Sequence, residues 1–145
     1  MDGSMFQNSE QQRAITDAIA AAERLTSGEI RVHIEARCKV DVMDRATFVF
    51  EKLAMHKTEL RNGVLFYLAS ESRKVAVLGD AGIHAAVPEN FWDNVLAILK
   101  SRLAQNDAAG GLVEGIRMAG EQLAQFFPVA EGDVNELTDD ISFGA

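Results

Sequence analysis

Three short stretches of this chain hold the residues whose types could do chemistry: Thr26-Ser27-Gly28-Glu29, Arg61-Asn62-Gly63 and Gly79-Asp80-Ala81-Gly82. Together they offer the carboxylates of Glu29 and Asp80, the amide of Asn62, the hydroxyls of Thr26 and Ser27, and the guanidinium of Arg61. Gly28, Gly63, Gly79 and Gly82 leave the backbone open to close approach. Hard divalent cations take oxygen ligands of this kind, so calcium or magnesium on Glu29, Asp80 and Asn62 is one reading. An arginine beside exposed backbone N–H groups suits a phosphate or carboxylate instead. In that second reading Asp80, or a metal-bound water it holds, is the nucleophile, and Arg61 neutralises phosphate charge while Thr26 and Ser27 donate to the phosphoryl oxygens. A third reading is structural: the glycines turn corners, and Arg61 pairs with Asp80 or Glu29. No GxGxxG, phosphate-loop, HExxH or GxSxG motif decides among them.

Whether the three stretches meet depends on the elements around them. Residues 64–69 and 75–78 are two apolar runs of strand length, separated by Ser70-Glu71-Ser72-Arg73, which reads as the turn of a hairpin. Their nearly continuous apolar character predicts a sheet with helices on both faces. Residues 29–37 alternate polar and apolar, predicting a strand with one buried face, charges on the other, and a place nearer the sheet edge. His33 falls on the polar face and is expected to be solvated. Residues 41–57 carry helical spacing in Val42, Ala46, Val49, Phe50, Leu53 and Ala54, with Asp41 or Asp44 at the N-terminus and Met43 and Met55 as core gap-fillers.

A strand–helix–strand unit of this kind crosses over right-handed and joins parallel strands. The antiparallel third strand then ends where the first two begin, which brings the three stretches to one end of the sheet. Ahead of this unit, residues 9–25 form an amphipathic helix with Ser9 as N-cap, Gln12 completing a capping box, and Gly28 as a left-handed stop. Behind it come a short apolar turn at 83–87, a helix opened by Pro88, and a last helix over 109–127 stopped by Pro128. Residues 129–145 form an acidic tail without an element, from which Asp133, Glu136, Asp139 or Asp140 could reach the site.

At 145 residues, about 9–128 is expected to be the core of a single domain spanning 1–145. The formal charge of −8 argues against nucleic acid as a partner. Cys38, the one cysteine, excludes an internal disulfide and reads as a buried, inert thiol. His33, His56 and His84 fall in different elements without metal-ligand spacing. No leader is visible at the N-terminus and no apolar run reaches the ~18 residues of a membrane span, so a cytoplasmic location is the expectation.

The chain resembles the TPM-domain family in its short soluble bacterial form. The resemblance lies in AERLTSGEIRV at 22–32, RNGVLFYLA at 61–69, RKVAVLGDAGI at 73–83 and the Phe91-Trp92 pair. It continues in GLVEGIRMAGEQLAQFFP at 111–128 and NELTDDI at 135–141, and so covers most of the chain. It implies an α/β/α sandwich with a small mixed sheet. Relatives include a thylakoid-lumen acid phosphatase, bacterial proteins that bind calcium or magnesium at loops beside the sheet, and membrane-anchored forms. The resemblance therefore implies a divalent-cation-binding regulatory or scaffolding domain. Its alternatives are a metal-assisted phosphatase acting on a phosphorylated small molecule or protein, and a protein-interaction module.

Overall fold

A central parallel strand pair organises the computed structural model, which describes residues 8–129 and 139–144. The strands are β1 (Glu29–Glu35), β2 (Gly63–Ala69), β3 (Lys74–Gly79) and β4 (Ser142–Phe143). They form one mixed sheet in the order β3-β2-β1-β4. β1 runs parallel to β2 and to β4, while β2 and β3 form the antiparallel hairpin.

Strand alternation divides the core into two layers. Ile30, Val32, Ile34, Val64, Phe66, Leu68, Val75 and Val77 face one side. There they pack under α1 (Ser9–Glu23), α4 (Asp93–Ala104) and α5 (Ala108–Leu123). Leu65, Tyr67, Ala69 and Ala76 face the other side, under Ala46, Val49 and Phe50 of α2 (Val42–Lys52). The result is the expected three-layer α/β/α arrangement. A six-residue α3 (Ala81–Ala86) follows β3 directly, Asp80 capping it. Among the described residues no helix is long and apolar enough to cross a membrane.

Several local expectations are corrected. α1 is capped by Asn8, whose Oδ1 accepts the N–H of Glu10 at 2.8 Å and of Gln11 at 3.4 Å, rather than by Ser9. Its last residues are right-handed and Gly28 has no positive φ, so that glycine does not act as a left-handed stop. Met43, read as core, is exposed, as is Leu25 just after α1. The 41–57 helix breaks after Lys52. Ala54 takes φ 58°, and the chain re-enters as a 3-10 turn, Met55–Lys57, which sends the Met55 side chain into the core. Pro88 opens a turn, closed by the Phe91 N–H on its carbonyl at 3.1 Å, and α4 begins only at Asp93.

The largest correction concerns β1. It lies inside the sheet, because β4 pairs outside it, and its polar face is covered: His33 is 6% and Glu35 5% exposed. Alternation in the sequence reported two chemically different faces; it could not report that the polar one is also enclosed.

α1 and α5 meet closely at Gly120, where an added Cβ would lie 2.7 Å from Ala22 Cβ and 3.0 Å from Ala22 Cα. Gly120→Ala would gain about 1 kcal/mol of helix propensity. The clash outweighs it, because two packed helices must separate. A net loss of about 1–3 kcal/mol is expected in urea unfolding followed by circular dichroism, and a gain in stability would show that the contact is soft.

Candidate functional site

The backbones of the three stretches do meet at one end of the sheet. The Glu29 N–H donates to Asn62 O at 3.2 Å, and the Asp80 N–H to Gly63 O at 2.9 Å. The Gly82 N–H donates to Arg61 O at 2.8 Å. Gly82 is required by this approach, since a Cβ there would lie 2.4 Å from Leu60 O and 2.6 Å from Arg61 O. Gly63 and Gly79 make room in the same way for Met55 O and the Ile83 side chain.

The side chains diverge from that junction. Thr26 Oγ1 donates to Phe127 O and accepts the Gly28 N–H at 3.1 Å, while the Ser27 N–H reaches Phe127 O at 2.8 Å. Both residues therefore tie the end of α5 to the start of β1. Asn62, 1% exposed, donates from Nδ2 to Ser27 O at 3.1 Å. Arg61, at φ 51°, grips Asp80 with two hydrogen bonds, Nε to Oδ2 at 2.7 Å and Nη2 to Oδ1 at 2.8 Å. Asp80 Oδ1 also accepts the Ala81 N–H at 2.7 Å. Burial raises the pKa of Asp80, but hydrogen bonds from Arg61 and Ala81 and the charges of Arg61 and His56 outweigh it and hold the carboxylate below its usual range. The pair borders a cleft of about 400 Å³ lined also by Thr47, Phe50, Glu51 and His56.

Glu29 is buried, and its charge acts on an acid that the sequence reading passed over. Glu23, at the end of α1, accepts the Ile30 N–H on Oε2 at 2.9 Å, and its Oε1 is buried. Burial pushes Glu23 up to about 9, reinforced by a proton shared with the Asp139 side chain and by the charges of Asp139 and Glu29; the Ile30 N–H opposes this. Of the tail acids considered, Asp139 thus reaches the end of α1. Asp140 interacts electrostatically with Arg31, and Asp133 and Glu136 lie outside the described residues. Among the described residues, no group of three or more His, Cys, Asp or Glu is arranged to hold a metal ion as it stands.

A second polar cluster lies at the far end of β1. Arg45 of α2 donates Nε to Glu35 Oε2 and Nη2 to Oε1, both at 2.8 Å, and the Tyr67 hydroxyl donates to Oε2. His33 Nε2 lies 3.2 Å from Glu35 Oε1, and His33 Nδ1 lies 2.9 Å from Ser142 Oγ of β4. The His33 and Tyr67 rings stack at 5.9 Å. Burial alone would raise Glu35, but the hydrogen bonds from Arg45, Tyr67 and His33, with the Arg45 charge, bring it down to about 2. Burial lowers His33, Glu35 pulls it back, and the charges of Arg45 and Arg31 press it further down. The signal for this cluster was His-x-Glu on one face of a strand; its partners come from three other elements.

These features define a small α/β/α domain with an open mixed sheet and a loop junction at one sheet end. The TPM domain model matches residues 2–122, and the chain belongs to the TPM-domain family. It is similar to the BA42 protein from the psychrophilic bacterium Bizionia argentinensis, at 44% identity over 94% of each chain and a TM-score of 0.90. It shares its fold with the N-terminal domain of the cg2496 protein from Corynebacterium glutamicum, at 18% identity over 79% of this chain and 72% of that one, with a TM-score of 0.64. No curated protein matches it.

The Glu35 cluster makes stability depend on acid in a defined window. Its carboxyl falls from 4.5 to about 2 on folding, so its contribution is complete above pH 4.5 and is lost as pH falls through that interval. Glu35→Gln should cost about 3 kcal/mol at pH 7, with much less difference from wild type at pH 2.5. Urea unfolding at several pH values measures this; an equal cost at both ends would remove the ionised network as its source.

Proposed function

We propose that this domain binds a divalent cation, calcium or magnesium, and acts as a regulatory or scaffolding module rather than as an efficient catalyst. The observation that carries this reading is Glu23: a half-buried carboxyl hydrogen-bonded to Asp139 and acted on by the charges of Asp139 and Glu29, which with burial push it up to about 9. Carboxyl groups brought together from the end of α1, the start of β1 and the lead-in to β4 offer oxygens at varied reach, as a hard cation requires. In the cation-free state a proton relieves their repulsion; a cation takes that place by drawing the three groups in. It would then clasp residues 139–144 to α1 and β1, giving binding a structural consequence.

Glu29 keeps the ligand role expected of it, whereas Asp80 and Asn62 are committed to Arg61, Ala81 and Ser27. Phosphomonoester hydrolysis at Arg61 and Asp80 has less support. The guanidinium that would neutralise phosphate is spent on the carboxylate that would attack, although Arg61 is half exposed and faces the cleft.

A calcium and magnesium titration followed by amide NMR tests the reading. Shifts should concentrate at residues 23, 29, 30 and 139. With one proton displaced per cation, apparent affinity should rise about tenfold per pH unit toward the Glu23 pKa of about 9. Glu23→Gln should abolish the cation response yet stabilise the cation-free protein increasingly as pH rises from 4.5 to about 9, because it removes a carboxyl that resists ionising when folded. Asp80→Asn should leave binding intact. Loss of binding in Asp80→Asn with retention in Glu23→Gln would move the site to the cleft, where phosphomonoester turnover with cation would be the next assay.

A further inference from the structure

Asp80 occupies only one edge of Arg61. Its carboxylate takes Nε at 2.7 Å and Nη2 at 2.8 Å, the side edge of the guanidinium. The end edge, formed by Nη1 and the outer N–H of Nη2, has no partner among the described residues, and half of the side chain is exposed. A guanidinium held along one edge is already oriented. Its other edge can therefore take a second carboxylate with little further loss of freedom.

That edge opens onto the cleft of about 400 Å³ bounded by α2, the 3-10 turn and the end of β3, a size that suits a small molecule. The rest of the wall divides by chemistry. Phe50 and Leu78 supply apolar surface. Glu51 is exposed and has no ion-pair partner among the described residues. Thr47 is already committed, donating to Met43 O at 2.8 Å. His56 keeps Nδ1 buried without a hydrogen-bond partner, which leaves Nε2 as the nitrogen open to a ligand.

The charges decide what fits. Asp80 offsets Arg61, and Glu51 then makes the cleft acidic on balance, so a bare anion gains little there. A molecule carrying both signs is the better match, with a carboxylate for Arg61, an ammonium for Glu51 and an apolar body for Phe50 and Leu78. We propose that this cleft binds a free α-amino acid with an apolar side chain, Arg61 taking its carboxylate end-on and Glu51 its ammonium. Asp80 is then a positioning residue. Its commitment to Arg61 counts against a nucleophile but is what a binding site requires. The inference does not depend on the cation reading, and its test is run in chelator.

The experiment is an amide NMR titration of the full chain with leucine at neutral pH, set against N-acetylleucine, leucinamide, glycine and inorganic phosphate. Leucine should shift residues 51, 56, 61 and 78–80 and leave residues 23, 29 and 139 in place, which separates this cleft from the cation site. N-Acetylleucine lacks the ammonium, leucinamide the carboxylate and glycine the apolar body, and each should bind about tenfold more weakly. Phosphate, lacking two of the three, should bind more weakly still. Glu51→Gln, a change at an exposed residue, should weaken leucine about tenfold and spare N-acetylleucine. Arg61→Lys keeps the charge but loses the planar fork, and should weaken both. Three results would overturn the proposal: N-acetylleucine or phosphate binding as tightly as leucine, no response at about 10 mM leucine, or leucine affinity unchanged in Glu51→Gln. Should Arg61→Lys fail to fold because Asp80 loses its partner, the Glu51→Gln comparison decides.

Discussion

A single buried carboxylate, Glu35, constrains how the second face of this sheet is closed. A charge with 3% of its side chain exposed is tolerable only if its oxygens are fully engaged. Two donors come from Arg45, which fixes the rotation of α2 over the sheet; one comes from Tyr67, which ties β1 to β2; and His33 carries the chain of contacts outward to β4. The apolar face above β1 has no such demand, because Ile30, Val32 and Ile34 need only volume beneath α1, α4 and α5. One face of the same strand is thus positioned by packing and the other by charge.

The opposite end of β1 is governed by backbone approach. A parallel pair followed by a hairpin leaves two strand starts and one strand end adjacent, and Gly82 lets the α3 turn press on the Leu60 and Arg61 carbonyls. That closeness commits Asp80 and Asn62 to structural hydrogen bonds, since groups held against exposed backbone are the ones available to satisfy it. Convergence of loops and availability of their side chains are separate properties.

This separation marks how far the sequence could be read. Apolar runs at 64–69 and 75–78 carried the hairpin and its two covered faces, and alternation at 29–37 carried a strand with one buried face, because burial pattern is local information. The right-handed crossover rule carried the meeting of the three stretches. The direction of Thr26 toward Phe127, 101 residues away, had no local signature. Nor did β4, whose two residues pair only because β1 leaves an edge for them. The end of α2 at Lys52 was hidden for another reason: helical periodicity continues through Leu53 and Ala54, and a left-handed alanine is a tertiary demand on a residue that otherwise favours helix.

Glu35 and Glu23 show why residue type alone could not rank the acids. Both carboxyls are largely removed from water, and both contact the central strand. Glu35 accepts from a guanidinium and a phenol and ionises near 2; Glu23 accepts one backbone N–H, faces two other carboxyls, and holds its proton to about 9. Burial raises both, so the difference comes from the donors and charges supplied by other elements. An ionised, saturated carboxylate is a finished structural part. A protonated one, hydrogen-bonded to a second carboxyl, keeps an acidic group inside the fold by giving up its charge.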